Sequence, residues 1–172
     1  MKPAVGYATG SFATRVVYDE VHGSTVATAD NIERHASLGV TYDWGRSRLF
    51  AGYRWYYGDF STSALRTNLY WLGANYRVTP AFTLTGAAYY TDVRNSGGDP
   101  YSFVPSSTYA FSKRTDLYAI LGFAKNRDGS SMGLSGFGPS LNANATTLTA
   151  TSEQLGVGQN QFGGIIGIRH RF

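Results

Sequence analysis

The chain of 172 residues contains no cysteine, so disulfides and thiolate metal sites are excluded, although this says little about compartment. Long apolar runs are also absent. The longest uninterrupted one, LYAILGFA at 117–124, is far short of the roughly 20 residues a membrane-spanning helix needs; a transmembrane strand needs only about 9–11. The start, MKPAVGYATG, lacks an apolar core long enough for a signal peptide, so an exported protein would be represented here by its mature form or a fragment. Charged residues are scarce, at 15%. The histidines, His22, His35 and His170, have no sequence neighbour that completes a metal pair or an acid–base dyad. The glycines and serines of GSSMGLSGFG (129–138) have no strand–loop–helix context that would make a phosphate cradle. No catalytic residue, metal or cofactor is expected.

What is abundant is tyrosine and glycine: 13 Tyr, 10 Phe, 3 Trp and 21 Gly. That composition favours strands over helices. The balance is basic, with 15 Lys+Arg against 11 Asp+Glu and a formal charge of +4. The bases are scattered singly rather than clustered, which argues against a nucleic-acid partner and leaves anionic lipid or anionic solutes.

Alternation recurs along the chain. In RHASLGVTYDWG one set is Ala36, Leu38, Val40, Tyr42 and Trp44, opposite His35, Ser37, Gly39, Thr41 and Asp43. In RLFAGYRWYYG, Leu49, Ala51, Tyr53, Trp55 and Tyr57 oppose Arg48, Phe50, Gly52, Arg54 and Tyr56. LYWLGANYRV and FTLTGAAYYT repeat the pattern, and further strands are read at about 4–18, 102–112, 116–125 and 161–172, making about eight. The connections alternate in length. Long ones at about 19–32, 58–67, 92–100 and 126–160 interleave with the tight GRSR, TPA and SKRTD turns at 45–48, 79–81 and 112–116. Every long loop therefore falls at one end of the sheet and every tight turn at the other. The expected fold is an all-β, antiparallel, up-and-down transmembrane β-barrel forming a single domain over 1–172, with 126–160 a long external loop.

A soluble barrel with its apolar set inward would alternate in the same way. Two features favour apolar-out. Tyr42, Trp44, Tyr57, Tyr76 and Tyr90 sit toward strand ends on the apolar face, as an interfacial aromatic girdle would. Arg54 and Arg77 recur at mid-strand on the other face, where a dry interior would bury them at a cost of several kcal/mol each. The candidate lumen-facing bases are Arg48, Arg54, Arg77, Arg169 and Arg171. Such arginines enrich anions in an aqueous channel; the alternative is that they pair with Asp43 or other carboxylates, or sit at a rim beside lipid phosphates.

Three stretches, YAFSKRTDLYA (109–119), LGANYRVTPAFTLTGAAYY (72–90) and the terminal GIRHRF (167–172), resemble the trimeric general porins of Gram-negative bacteria, in particular the anion-preferring branch. The resemblance implies the bacterial outer membrane, short periplasmic turns and long external loops. It implies outer-membrane lipid, the outer-membrane insertion machinery, small anionic solutes and a second copy of the chain as partners. Ile166, Ile168, His170 and Phe172 resemble the assembly signal that the insertion machinery reads. The resemblance covers only the C-terminal half of a sixteen-stranded porin. The inward third loop and the basic ladder opposite it belong mainly to the other half, and no residue here inherits those roles. The expected function is a porin-type channel wall for passive diffusion of small hydrophilic solutes, biased toward anions. The alternative is a small closed, non-conducting barrel acting as a structural or loop-mediated binding module. Strand count separates them, since eight strands close around an interior that side chains fill, whereas sixteen keep an aqueous channel.

Overall fold

In a computed structural model, residues 3–23, 30–59, 64–94, 98–127, 130, 134 and 158–172 are described. They form one antiparallel sheet of nine strands in sequence order: β1 (Ala4–Thr9), β2 (Phe12–His22), β3 (Ile32–Trp44), β4 (Ser47–Asp59), β5 (Ala64–Arg77), β6 (Phe82–Arg94), β7 (Tyr101–Ala110), β8 (Thr115–Lys125) and β9 (Gln161–His170). There is no helix among the described residues.

The up-and-down meander is the one expected, but the strand count is nine rather than eight. The segment read as one strand over 4–18 is a hairpin, with Thr9 paired to Phe12 across Gly10-Ser11. Gly10 has φ 53°, a left-handed conformation that glycine adopts without a Cβ penalty. Gly45 (φ 59°) turns the β3–β4 hairpin in the same way, with Trp44 paired to Ser47. The other two tight turns are closed by hydroxyls. Thr79 Oγ1 accepts from the Ala81 and Phe82 amides at 3.3 and 3.0 Å, and Ser112 Oγ accepts from those of Arg114 and Thr115 at 3.1 and 3.0 Å. Turns of two to four residues at 10–11, 45–46, 78–81 and 111–114 alternate with connections at 23–31, 60–63, 95–100 and 126–160, so the latter share one rim, the rough one, and the turns the smooth one. The connection expected at 58–67 shortens to four residues because β4 and β5 extend into it.

The sheet does not close on itself. β1 and β9 are its two edges, each with a single strand neighbour. A self-closed eight-stranded barrel is therefore not what this chain forms. The β7–β8 ladder is interrupted between Phe103 and Ser106, across Pro105, which has no amide hydrogen to donate. Most of the expected loop at 126–160 lies outside the described residues.

Register assigns every side chain to one of two faces. The large exposed apolar residues, among them Val5, Val16, Leu38, Leu72, Leu84, Phe103, Leu121 and Ile166, fall on one face. Among such residues within the strands, Val21, Ile120 and Ile165 are the ones on the other. Leu72 is 65% exposed and Ile166 74%, values that water would penalise and lipid would not. Where a hydroxyl falls on this face it is satisfied: Thr14 Oγ1 donates to the Gly39 carbonyl at 3.1 Å.

The second face carries most of the glycines and the packing. Tyr56, Thr67, Thr91, Val93 and Ala124 are buried there, in the half nearer the long connections. Arg127 and Ser130 lie at that end: Ser130 is buried and bonded to Asn126 and Arg127, and Gly98 lies against the Ser130 and Arg127 backbone. Leu134 reaches further in. Its Cδ2 lies 2.8 Å from where a Cβ on Gly122 would stand, and its Cδ1 3.0 Å from the equivalent point on Gly163. Gly122 and Gly163 are a cross-strand pair.

Candidate channel-lining face

The apolar face is bounded by aromatic rows at both ends. Toward the rough rim, Tyr53, Tyr70, Tyr90 and Tyr101 are in register across β4–β7. The Tyr53 and Tyr70 rings lie 5.1 Å apart, and those of Tyr70 and Tyr90 6.4 Å apart. Beyond that row the face turns polar. Tyr53 Oη donates to Asn68 Oδ1 at 2.7 Å, Asn68 Nδ2 donates to Asp92 Oδ2 at 2.9 Å, and Arg34, Tyr57, Arg66 and Arg94 follow in one cross-strand line. Toward the smooth rim stand Tyr42, Trp44, Tyr76, Phe82, Tyr109 and Phe111. From Phe82 to Tyr90 is eight residues of β6, about 27 Å along the strand and roughly 20 Å along the axis of a barrel with strands tilted by about 40°. That is close to the apolar band, about 25 Å tall, of an outer-membrane barrel. Of the girdle residues expected from sequence, Tyr42, Trp44, Tyr76 and Tyr90 sit at these boundaries. Tyr57 sits beyond the tyrosine row, its ring 5.0 Å from the Arg66 guanidinium carbon.

On the second face the expected bases separate into two kinds. Arg48 is tied to Asp43 across the β3–β4 turn, with Nη2 donating to Oδ2 at 2.8 Å. Arg169 is tied to Asp116 on the neighbouring strand, with Nη2 donating to Oδ2 at 2.9 Å and Nε at 3.1 Å. These two sites carry little net charge. Arg54 lies half-buried in the rough-rim half with its guanidinium carbon 5.9 Å from the Tyr56 ring. Arg77, at the smooth end of β5, makes no side-chain bond among the described residues. Arg171 follows β9 with the parity of Arg169.

Arg15 joins this set and is not among the residues picked from sequence. It lies on β2 in a cross-strand row that runs Gly6, Arg15, Gly39, Gly52, Trp71. Reading 4–18 as one strand left its facing undetermined; the Thr-Gly-Ser turn at 9–11 was the signal that would have settled it. Around the row, aromatic rings cover bare glycines on the adjoining strand. Trp71 covers Gly52, Phe50 covers Gly73, and Tyr118 covers Gly167. Each pair is directly opposite in register, so a large ring lies flat on the wall instead of projecting from it.

The C-terminal residues Ile166, Ile168 and His170 lie on the apolar face, and Phe172 continues their parity just past β9. The His170 and Phe172 rings meet edge-on at 4.9 Å, and the Thr115 hydroxyl and His170 Nδ1 are 2.9 Å apart. Among the described residues no group of three or more His, Asp or Glu side chains is placed to hold a metal ion.

The sequence model of the Gram-negative porin family matches residues 2–129. The chain belongs to the Gram-negative porin family. Its place is the bacterial outer membrane, and the two-faced sheet is porin wall. Among solved structures it is similar to an anion-selective porin from Comamonas acidovorans, with a TM-score of 0.81 and 23% identity over 98% of this chain and 48% of that one. It is also similar to OmpT, an outer-membrane protein of Vibrio cholerae, with a TM-score of 0.67 and 18% identity over 97% of this chain and 53% of that one. A loop L8 deletion mutant of the same OmpT matches at a TM-score of 0.67 and 16% identity, over 97% and 51% of the two chains. This porin-family chain thus spans about half the length of the structures it resembles. None of the curated proteins matches it.

Proposed function

We propose that this chain supplies part of the wall of an outer-membrane channel for passive diffusion of small hydrophilic solutes, with a bias toward anions. The observation that carries the reading is the asymmetry of the second face. Arg48 and Arg169 are neutralised by carboxylates, while Arg15 and Arg77 have no such partner among the described residues. Unpaired arginines on a wall facing water raise the local anion concentration and set the sign of selectivity. The likeness to a protein described as an anion-selective porin supports the same sign.

The open sheet sets a condition on this activity. With β1 and β9 as free edges, a water column needs further strands, from the rest of a longer protein or from a second copy of this chain, because unpaired edges are costly in lipid. Outer-membrane lipid contacts the apolar face, and Tyr42, Trp44, Tyr76 and Tyr90 act at its two borders, with Tyr57 beyond the rough-rim one. Ile166, Ile168, His170 and Phe172 serve as the signal for the insertion machinery. The sheet acts as a wall and not as an enzyme.

Planar-bilayer recording across a salt gradient, with the oligomeric state measured in the same sample, tests the proposal. A reversal potential of anion-preferring sign that falls when Arg54 and Arg77 both become Ser is the expected result. Cation preference, or a potential indifferent to both changes, rejects it.

A further inference from the structure

The glycine row on the second face leaves a recess that neither pairing nor packing fills among the described residues. Its floor is Gly6 and Gly39, its cation is Arg15, and its sides are Thr41, Phe50 and Trp71, around a concavity of about 470 Å³. Gly39 is its centre. A Cβ built there meets nothing within 4 Å, whereas one on Gly52 next to it would stand 2.0 Å from Trp71 Cζ2. One glycine in the row is covered by a ring and its neighbour is left bare. Arg15 is exposed, and its side chain makes no hydrogen bond, ion pair or ring contact among the described residues, unlike those of Arg48 and Arg169.

We propose that this recess is a binding site for a small carboxylate carrying a flat apolar body, an aromatic carboxylate in its simplest form. The guanidinium presents a planar fork that matches a carboxylate in a bidentate pair, a stronger contact than a neutral hydrogen bond. An inorganic anion would satisfy Arg15 but leave most of the concavity to water, since one water molecule accounts for only about 30 Å³. The volume falls in the range of small-molecule sites, about 300–1,000 Å³. The walls are glycine, alanine and two rings lying flat, surfaces that lose little on desolvation and favour a flat partner over a branched one. The site names a solute class for the channel reading above and rests on that reading for its physiological setting, but not for its chemistry.

The test needs no conduction. Trp44 and Trp55 lie on the apolar face, so the double change Trp44→Phe, Trp55→Phe leaves Trp71, beside the recess, as the single tryptophan, excited selectively over the tyrosines at the red edge of the absorption band. Titration of this folded chain in detergent with benzoate is expected to change Trp71 emission saturably. Acetate should act at least tenfold more weakly and benzylammonium not saturably. Arg15→Gln should weaken benzoate about tenfold, while Lys113→Gln, in the β7–β8 turn away from the recess, should not. Gly39→Leu, whose Cβ meets nothing within 4 Å and whose longer side chain would occupy the recess, should abolish the response with the strand content unchanged by circular dichroism. An equal benzoate response in the Arg15→Gln or Gly39→Leu chain overturns the proposal, as does equal binding of benzylammonium. Anion-selective conduction without benzoate binding rejects the recess alone. Benzoate binding without anion-selective conduction rejects the channel reading and leaves the recess standing.

Discussion

The indole of Trp71 lies across Gly52 of the neighbouring strand so closely that a Cβ on the glycine would meet Cζ2 at 2.0 Å and the Leu38 carbonyl oxygen at 2.7 Å. The ring could swing away at the cost of its packing, but the carbonyl belongs to the backbone of β3 and cannot. Gly52 is thus fixed by two neighbours of different kinds, and Gly39, next to it in the same row, by neither.

That contrast predicts opposite outcomes for one substitution at two adjacent sites. Gly52→Ala should destabilise the folded chain by about 1–3 kcal/mol, the usual range for overpacking. Gly39→Ala should be neutral or slightly stabilising, because a strand glycine loses more backbone freedom on folding than alanine. Urea unfolding in lipid vesicles reads both. Equal midpoints for the two variants would contradict the placement of the ring.

Much of this wall was legible in the chain itself. β3 to β6 announce their two faces because each is long and alternates without interruption, so one misplaced residue could not invert the assignment. β1 and β2 did not, since a two-residue turn through Gly10 leaves almost no polar gap between them, and Arg15 went unnoticed with it. Asp43 and Arg48 could be paired by counting through a tight turn. Asp116 and Arg169 are 53 positions apart, and only the register of β8 on β9 brings them together. The rings on Gly52, Gly73 and Gly167 are cross-strand contacts, invisible to a periodicity of two. So is the seat of Leu134, a residue of the expected external loop, on the Gly122–Gly163 pair.

The apolar face predicts a sharp dependence on which side of the strand is charged. Leu72→Arg places a guanidinium in lipid and should lower folding yield in vesicles by an amount equivalent to about 2–4 kcal/mol if the site lies near the bilayer midplane. Leu38→Arg should behave alike. Thr85→Arg, at comparable depth but on the second face, should fold nearly as well as the unaltered chain. Equal yields for all three would reverse the facing.

The terminus predicts a separation between assembly and stability. Phe172 is fully exposed in the structure and touches His170, so deleting it removes little packing. Loss of Phe172 should therefore lower outer-membrane levels in cells severalfold while shifting the unfolding midpoint of purified protein only slightly. Normal cellular levels would remove the recognition role; a large midpoint shift would make the residue structural.

The ion pairs predict changes whose sign is opposite to that of removing an arginine. Asp43 holds Arg48 and Asp116 holds Arg169, so each pair adds nearly nothing to the field of the second face. Asp43→Asn leaves a guanidinium without its counter-charge, adding one positive charge to the wall. Asp116→Asn does the same at the β8–β9 end. Each change should raise the anion-to-cation permeability ratio of the assembled channel, and the effect should shrink as salt rises, because the Debye length falls from about 10 Å at 0.1 M to about 3 Å at 1 M. Adding Arg48→Gln to Asp43→Asn should restore the original ratio, since the pair is then removed as a unit and the net charge is unchanged. The reversal potential at low and high salt measures all of this. If Asp43→Asn lowers anion preference, or if the double variant differs from the parent as much as the single one does, the two residues do not cancel one another on the wall.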